Sequence, residues 1–354
     1  MDTRYQALCQ WLADVLQVDE IELSVVSGDA SFRRYFRLTL GENSWIAMDA
    51  PPEKEDSSSF VRIARYWFEQ GIRVPDIVAL DLEKGFMLLS DFGQSLLLSA
   101  LQPDYPNLER GKHYYGKAMQ ILGRIQSLDA SPTNLPNYDD ALLQREMALF
   151  TDWFLQAKLG LALTEAETQA LQGCFDFLAQ RALAQKQVVV HRDYHARNLM
   201  ICEDDELAVL DFQDAVIGPV TYDLVSLLRD CYIVWPEDNV DQWCREFYSL
   251  ITQYGEHAGS YEQFREDFDL MGLQRHLKVA GIFARLSLRD GKHAYLQDIP
   301  RTLDYIIKVS SSLLAQSAER FAVIKPVLTL IEQQVLPLIS QPEFLQAESL
   351  KASS

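Results

Sequence analysis

Residues 4–18 place Leu8, Trp11, Leu12, Val15 and Leu16 at helical spacing, which predicts an amphipathic opening helix. From 21 to 50 the period changes. IELSVVS, RRYFRLTL and SWIAMDA are short runs rich in β-branched and aromatic residues, broken by Ser-Gly-Asp and Gly-Glu-Asn. They predict three antiparallel strands joined by turns. PPEKEDSSS reads as a loop. Residues 59–70 then put Phe60, Ile63, Ala64 and Trp67 on one helix face, stopped by Gly71. IRVPDIVALD and GFMLLSD read as two more strands. The first unit is thus a small sheet with one helix, about 90 residues long by this pattern.

Beyond Gly93 the texture turns helical. Residues 110–128, 139–159 and 164–185 all carry the i, i+3, i+4 apolar spacing, and helix resumes at 221–235 and continues toward the C-terminus. Residues 320–339 are amphipathic but interrupted by Lys325, Pro326 and Pro337. Between 188 and 212 lies a non-helical island, QVVVHRDYHARNLMIC and ELAVLDFQD. Neither an internal repeat nor a low-complexity linker occurs. The layout predicts an α+β chain of two lobes, residues 1–91 β-rich and 92–354 helical.

Composition narrows the function classes. The 354 residues hold 32 Lys and Arg against 51 Asp and Glu, a formal charge of −19. So acidic a chain is a poor non-specific ligand for nucleic acid and for an anionic membrane, both of which need positive charge. Hydrophobic residues make up 48%, enough for sizeable cores. The five cysteines are scattered with no CxxC, so neither a disulfide framework nor a zinc site follows, and a reducing compartment fits. The N-terminus has no apolar signal core, and no run of 18 apolar residues occurs. A soluble, cytoplasmic protein without membrane insertion is expected.

The chemistry concentrates in the island. His191-Arg192-Asp193-Tyr194-His195-Ala196-Arg197-Asn198 follows the apolar strand Val188–Val190 and matches the H-R-D-x-x-x-x-N loop of kinases residue by residue. Asp193 is positioned to accept the proton of an attacking hydroxyl, and Asn198 to offer a neutral oxygen to Mg²⁺. Asp211 in LAVLDFQD, 18 residues after Asp193 and again at a strand end, stands where the Asp of D-F-G holds Mg²⁺ on the nucleotide phosphates. Phosphoryl transfer needs such a set. One carboxylate faces the acceptor, while another carboxylate and an amide face a hard cation that wants oxygen ligands. A His-Arg-Asp turn beside an unrelated acid would explain either half alone, but not both in strand context. The layout and these motifs together point to a two-lobed, protein-kinase-like fold.

SGDASFRRYF, MDAPPE, GIRVP, LLSDFG, HRDYHARN, LDFQDA and GPVTYDLVSLLRD, spread from Ser27 to Tyr232, resemble the aminoglycoside phosphotransferase and choline kinase superfamily. Within it, ASFRRYFR, MDAPPEKED, HRDYHARNLM and FARLSLRDGK resemble the kinases that phosphorylate the anomeric hydroxyl of N-acetylmuramate and N-acetylglucosamine in peptidoglycan recycling. The resemblance implies ATP, Mg²⁺ and an N-acetylated amino sugar as small-molecule partners. It also implies that Asp223 hydrogen-bonds the catalytic loop from a helix start. Composition and spacing alone reach only a small-molecule kinase. An aminoglycoside or choline is the alternative acceptor, and a nucleotide-binding sensor without catalysis is the reading from a different class.

The chain also departs from the kinase pattern. The phosphate loop, Ser27 to Arg34, has one glycine. Ser31 is placed to donate to the β-phosphate with Phe32 covering it, and a plain hairpin turn is the competing account. Where the third strand should carry the V-A-I-K lysine it carries Met48, and the following helix opens without a Glu to pair with one. Arg33, Arg34 or Lys54 supplies the missing charge, or nucleotide binding is weak; Arg33 or Arg34 is the expected substitute. Leu88 to Gly93 resembles the hinge between lobes, so Leu89 is expected at the adenine and Asp91 either at the ribose or capping the next helix. Arg197 is expected to neutralise charge on the transferred phosphate, with a guanidinium fork that suits phosphate oxygens. His195, only partly protonated at neutral pH, is a second choice or packs instead. Arg229, Asp230 and Tyr232 offer charge beside an aromatic, which suits a sugar. Among Arg275, His276, Lys278, Arg285, Arg289 and Lys292, one could bind a lactyl carboxylate; a salt-bridged helix face explains any single one as well.

Overall fold

Asp2 opens the first helix, α1 (Thr3–Leu16), by accepting the backbone N–H groups of Arg4 at 3.1 Å and Tyr5 at 3.3 Å. In this computed structural model residues 2–28, 32–102, 105, 107–255 and 259–345 are described. The expected strands follow as β1 (Leu23–Gly28), β2 (Arg34–Leu40) and β3 (Asn43–Asp49), then α2 (Ser58–Glu69), β4 (Ile77–Asp81) and β5 (Phe86–Ser90). The five strands form one antiparallel sheet in the order β1-β2-β3-β5-β4. Leu8, Trp11 and Leu12 of α1 pack on Phe36, Leu38, Ala47, Phe86 and Leu88, which alternate inward on that sheet. Gly85 turns β4 into β5 at φ 72°, and a Cβ there would fall 1.9 Å from the Ala50 carbonyl oxygen, so no other residue fits.

Onward run α3 (Leu97–Leu101), α4 (Leu108–Gln126), α5 (Asp140–Leu149) and α6 (Glu165–Leu183). The helix expected over 139–159 changes winding midway, because α5 passes into a π-helical stretch, Phe150–Lys158. The island supplies β6 (Gln187–Val190), β7 (Leu199–Ile201) and β8 (Leu207–Val209), followed by β9 (Val216–Pro219). The helical remainder is α7 (Tyr222–Leu228), α8 (Glu237–Gln253), α9 (Tyr261–Asp290), α10 (Ile299–Gln316), α11 (Lys325–Leu330) and α12 (Leu336–Ile339). Strand β9 was not expected, since its Val-Ile-Gly-Pro run has no alternation; β6 recruits it, pairing Val188 with Gly218 and Val190 with Val216. The helix expected over 221–235 ends at Leu228, where Arg229 leaves helical backbone. The stretch Ala322–Ile339 is a continuous helical run of 18 residues, long and apolar enough on average to span a membrane; its winding changes from 3-10 to α to π and back to α, and 33% of it is buried inside the molecule.

Contacts divide the chain into two compact units, residues 1–135 with 196–215, and residues 136–195 with 216–354. This division differs from a cut at residue 91. The reason is backbone hydrogen bonding: Val209 donates to the Arg73 carbonyl, Ile201 to that of Ser95 and Leu98 to that of Ala196. These bonds tie the β7–β8 hairpin and α3 into the first unit. The second unit is built on α9, which is buried nearly all round and touches α5, α6, α7 and α10. Gly281 lets α9 lie against the start of the π-helical turn, where a Cβ would sit 2.3 Å from the Leu149 carbonyl carbon.

Candidate active site

In the second unit β6 is buried through Val188, Val189 and Val190 and ends at His191, so the polar loop begins where the apolar pattern stops. Asp223, in the first turn of α7 and fully buried, accepts the backbone N–H groups of His191 at 2.6 Å and Arg192 at 3.0 Å. Burial pushes its carboxyl up to about 6, against the lowering effect of those bonds. Arg192 takes φ 76°, a left-handed backbone that costs a non-glycine residue about 1–3 kcal/mol and persists where surroundings impose it. Here the surroundings are Asp223 on the backbone and Glu146 on the side chain. The Glu146 carboxylate receives the Arg192 guanidinium at 2.5 Å, Lys278 Nζ of α9 at 2.9 Å, and the Tyr138 hydroxyl. Lys278 also donates to the Tyr222 hydroxyl at 2.9 Å.

Asp193 follows directly. Burial pushes its carboxyl up, but the charges of Lys278, His195, Arg275 and Arg192 more than reverse this, and its pKa lies below the ordinary carboxylate value. It is therefore ionised near neutrality, as a general base must be. His195 donates its backbone N–H to the Asp193 carbonyl at 3.0 Å and meets the Tyr232 ring edge-on, with centroids 5.5 Å apart.

The first unit carries the other half of the motif residues. Asp211 stands at φ 63°, a conformation Asp tolerates better than most residues. Its carboxylate accepts the side-chain amides of Asn198 at 3.4 Å and Gln213 at 2.7 Å. Leu210 N–H to the Asn198 carbonyl at 2.9 Å holds the two backbones together. Phe212 anchors the turn by stacking on Phe60, centroids 5.0 Å apart, and tilting against Trp67, both on α2. A carboxylate beside a side-chain amide, which carries an oxygen as well as the NH2 that meets Asp211 here, fits a magnesium ion whose remaining ligands are water and phosphate. Among the described residues no cluster of three or more His, Cys, Asp or Glu forms a metal centre of another kind.

Arg33 lies within electrostatic reach of Asp211. Arg33 Nη2 reaches Glu55 Oε2 at 3.2 Å; burial lowers the Arg33 pKa, and Tyr35 most, then Glu55 and Asp211, raise it above its ordinary value. Glu55 Oε1 also accepts the backbone N–H of Phe32 at 3.2 Å, and Lys54 Nζ sits 4.6 Å over the exposed Phe32 ring. Met48 is fully buried on β3 between Tyr35 and Met87, and Leu89 is buried on β5 opposite Ile46. Ser31 lies outside the described residues.

Some expected residues are occupied elsewhere. Arg34 and Arg4 both grip the buried Asp49, and Arg34 also pairs with Asp2. Asp91 binds Arg37 at 2.6 Å and accepts the Gly93 N–H at 2.9 Å, so it closes its own turn. Arg229 is buried between Asp269 at 2.7 Å and Glu237 at 2.6 Å. Asp230 is buried and accepts the backbone N–H of Tyr232 at 2.9 Å, and Arg197 is exposed. Sequence reasoning passed over Glu55 and Glu146. Glu55 precedes the helix in which a partner was sought, and Glu146 shows only as an acid on an otherwise apolar helix face. A surface cavity of about 370 Å³ at α5 and α6, lined by Gln144, Arg145, Asp152 and Phe175, holds none of these residues.

The profile of the phosphotransferase enzyme family (APH) matches residues 22–260, a range that holds His191–Asn198, Asp211 and Asp223. The chain belongs to that family. It is similar to the N-acetylmuramate/N-acetylglucosamine kinase of Pseudomonas aeruginosa, 44% identical over 317 residues, covering 86% of this chain and 91% of that one. It is likewise similar to the enzyme of the same name from Neisseria meningitidis, 37% identical over 340 residues and covering 93% and 95%. Among solved structures it shares its fold with choline kinase LicA from Streptococcus pneumoniae, TM-score 0.58 at 11% identity over 87% of this chain and 99% of that one. ADP-bound aminoglycoside phosphotransferase APH(2'')-Ib also has this fold, with TM-score 0.55 at 15% identity over 86% and 98%. The α+β, two-lobed kinase-like fold expected from the sequence is borne out, and this family member is a phosphotransferase.

Proposed function

We propose that this phosphotransferase moves the γ-phosphate of ATP to the anomeric hydroxyl of N-acetylmuramate or N-acetylglucosamine, giving the sugar 1-phosphate and ADP. The observation that carries the chemistry is Asp193, a base held ionised by surrounding cations on a loop tied to Asp223. The choice of acceptor rests on the relatives' names at 37–44% identity over most of the chain.

Asp193 accepts the proton of the anomeric hydroxyl, which the ring oxygen makes more acidic than a simple alcohol, so a carboxylate suffices. Asn198 and Asp211 would hold Mg²⁺, whose charge, when it is bound, neutralises the phosphate oxygens. Arg33, ion-paired to Glu55 and within electrostatic reach of Asp211, takes the place of the strand lysine that Met48 displaces. Its fork suits phosphate oxygens. Phe32 and Ser31 cover the phosphates, Leu89 borders the adenine, and Arg197 neutralises charge on the group in flight. His195 and Tyr232 belong on the acceptor side. ATP and a free amino sugar place the reaction in the cytoplasm.

The test is ADP release with Mg-ATP and, separately, N-acetylmuramate, N-acetylglucosamine, kanamycin or choline. Turnover on the N-acetyl sugars, abolished by EDTA and restored by Mg²⁺, with phosphorus–carbon coupling assigning the phosphate to the anomeric carbon, is expected. Turnover confined to kanamycin or choline would discard the acceptor. Silence on all four with nucleotide still bound would favour a sensor.

A further inference from the structure

Among the described residues three cations are more than nine-tenths buried: Arg229, Arg275 and Lys278. Two have acids. Arg229 lies between Asp269 and Glu237, and Lys278 holds Glu146. Arg275 has no carboxylate within 4.0 Å among the described residues; its side-chain partner is the Cys231 sulfur at 4.0 Å, and its Nε has no acceptor at all. Burial pushes the Cys231 thiol up, so that sulfur carries no countercharge. A buried guanidinium without a paired anion is among the costliest arrangements a fold can hold. Such a group persists where a ligand completes it.

Its surroundings say which ligand. Arg275 and Lys278 are three residues apart on α9 and share a face. The carboxylates whose charge reaches Arg275 are Asp193 and Asp230. Cys231 is followed by Tyr232, whose ring meets His195, two residues from Asp193. The Arg275 charge thus acts on the base that receives the acceptor's proton, whereas Arg33 pairs with Glu55. N-acetylmuramate differs from N-acetylglucosamine by one lactyl ether, which adds a carboxylate. An arginine fork matches a carboxylate with two parallel N–H···O bonds.

We infer that Arg275 is the specificity-determining residue of the acceptor site, its guanidinium receiving the lactyl carboxylate of N-acetylmuramate. The inference rests on the acceptor reading above. N-acetylglucosamine, without that carboxylate, leaves Arg275 unfilled and depends on contacts to the ring and acetamide that both sugars share.

The deciding measurement pairs a change in the substrate with a change in the protein. On the unaltered chain, kcat/KM for N-acetylmuramate and for its methyl ester is compared; the ester is expected to lose about tenfold or more, the worth of a hydrogen-bonded charge pair. In R275Q the acid and the ester should converge. The ratio of kcat/KM for N-acetylmuramate over N-acetylglucosamine should also fall about tenfold, whatever effect on both sugars travels through Asp193. R275K should recover part of that ratio. An ester as good as the acid on the unaltered chain overturns the inference without any variant having to fold. So does an R275Q enzyme that loses both sugars in equal proportion, the sign of a guanidinium serving the transferred phosphate. If the unaltered chain turns over neither N-acetyl sugar, the acceptor reading itself fails. Turnover of both with no ester effect fails Arg275 alone.

Discussion

Asp223 receives the backbone N–H of His191 at 2.6 Å and thereby sets the turn on which Asp193 stands. Its carboxyl is pushed by burial to about 6, so near that pH it gains a proton and its oxygens become poorer acceptors for the two amides. Because this folded-state pKa lies above the ordinary value, the folded state holds the proton more tightly than the unfolded one. This group's stabilising contribution is therefore full at low pH and lost as pH rises through about 6. An acid limb from Asp223 must be one of geometry and not of unfolding. We expect kcat to fall below pH about 6 while the melting temperature does not fall there, because the contribution of Asp223 to stability grows as it takes up its proton. Asp223→Asn should turn over slowly and without that limb; a variant keeping both full rate and the limb would count against the assignment.

Asp193 has the opposite shift. Burial raises its pKa, but Lys278, His195, Arg275 and Arg192 lower it further, so it stays charged through the range where Asp223 titrates. Asp193→Asn removes the proton acceptor while leaving the loop's backbone bonds in place. Steady-state kinetics should show kcat lower by about 10²–10⁴ with the sugar KM within a few fold. Near-full turnover would refute Asp193 as base.

Arg33 and Arg34 are neighbours with separable roles. Arg33→Ala should raise the KM for ATP about tenfold, through loss of a charge-assisted contact, with little change in melting temperature. Arg34→Ala strips the fully buried Asp49 of one of its two arginines. It should cost about 1–3 kcal/mol of stability in urea titration and leave the ATP KM alone. The reverse pattern would exchange their assignments.

Glu146 neutralises Arg192 and Lys278 at once. Glu146→Gln leaves two cations facing each other in the interior and should destabilise the fold by about 3–5 kcal/mol, read by denaturant unfolding. Burial raises the Glu146 pKa, but Lys278, Arg192 and Tyr138 bring it below its usual value. Its contribution is therefore present above the unfolded-state pKa and lost as pH falls through the lower folded one. The penalty of the Gln variant should shrink in acid; a penalty flat with pH would point to lost packing instead.

Much of this was legible before any coordinates. The periods of two and 3.6 located α1, the first sheet, α2 and α6, since those faces are buried on one side only and the pattern records it. His191–Asn198 and Asp211 were legible because their chemistry is local, a polar loop at the end of an apolar strand. Strand β9 was not, since its residues are buried by β6 and not by any alternation of their own. The π-helical winding after Leu149 was not either; α9 packs against its start through Gly281, which lies far along the chain.

What the sequence determined by itself was the fold class, the phosphotransferase motif and the residues proposed as base and metal ligands, all of which depend on residue type and short spacing. What tertiary structure alone decided was the use of each charge. Arg33, Arg34, Arg229 and Arg275 are alike on paper. One braces on Glu55, one on Asp49, one on Asp269, and one has no carboxylate within 4.0 Å among the described residues. A charge's energy depends on what approaches it through space and on how much water is left around it, and neither quantity is written in the neighbouring residues.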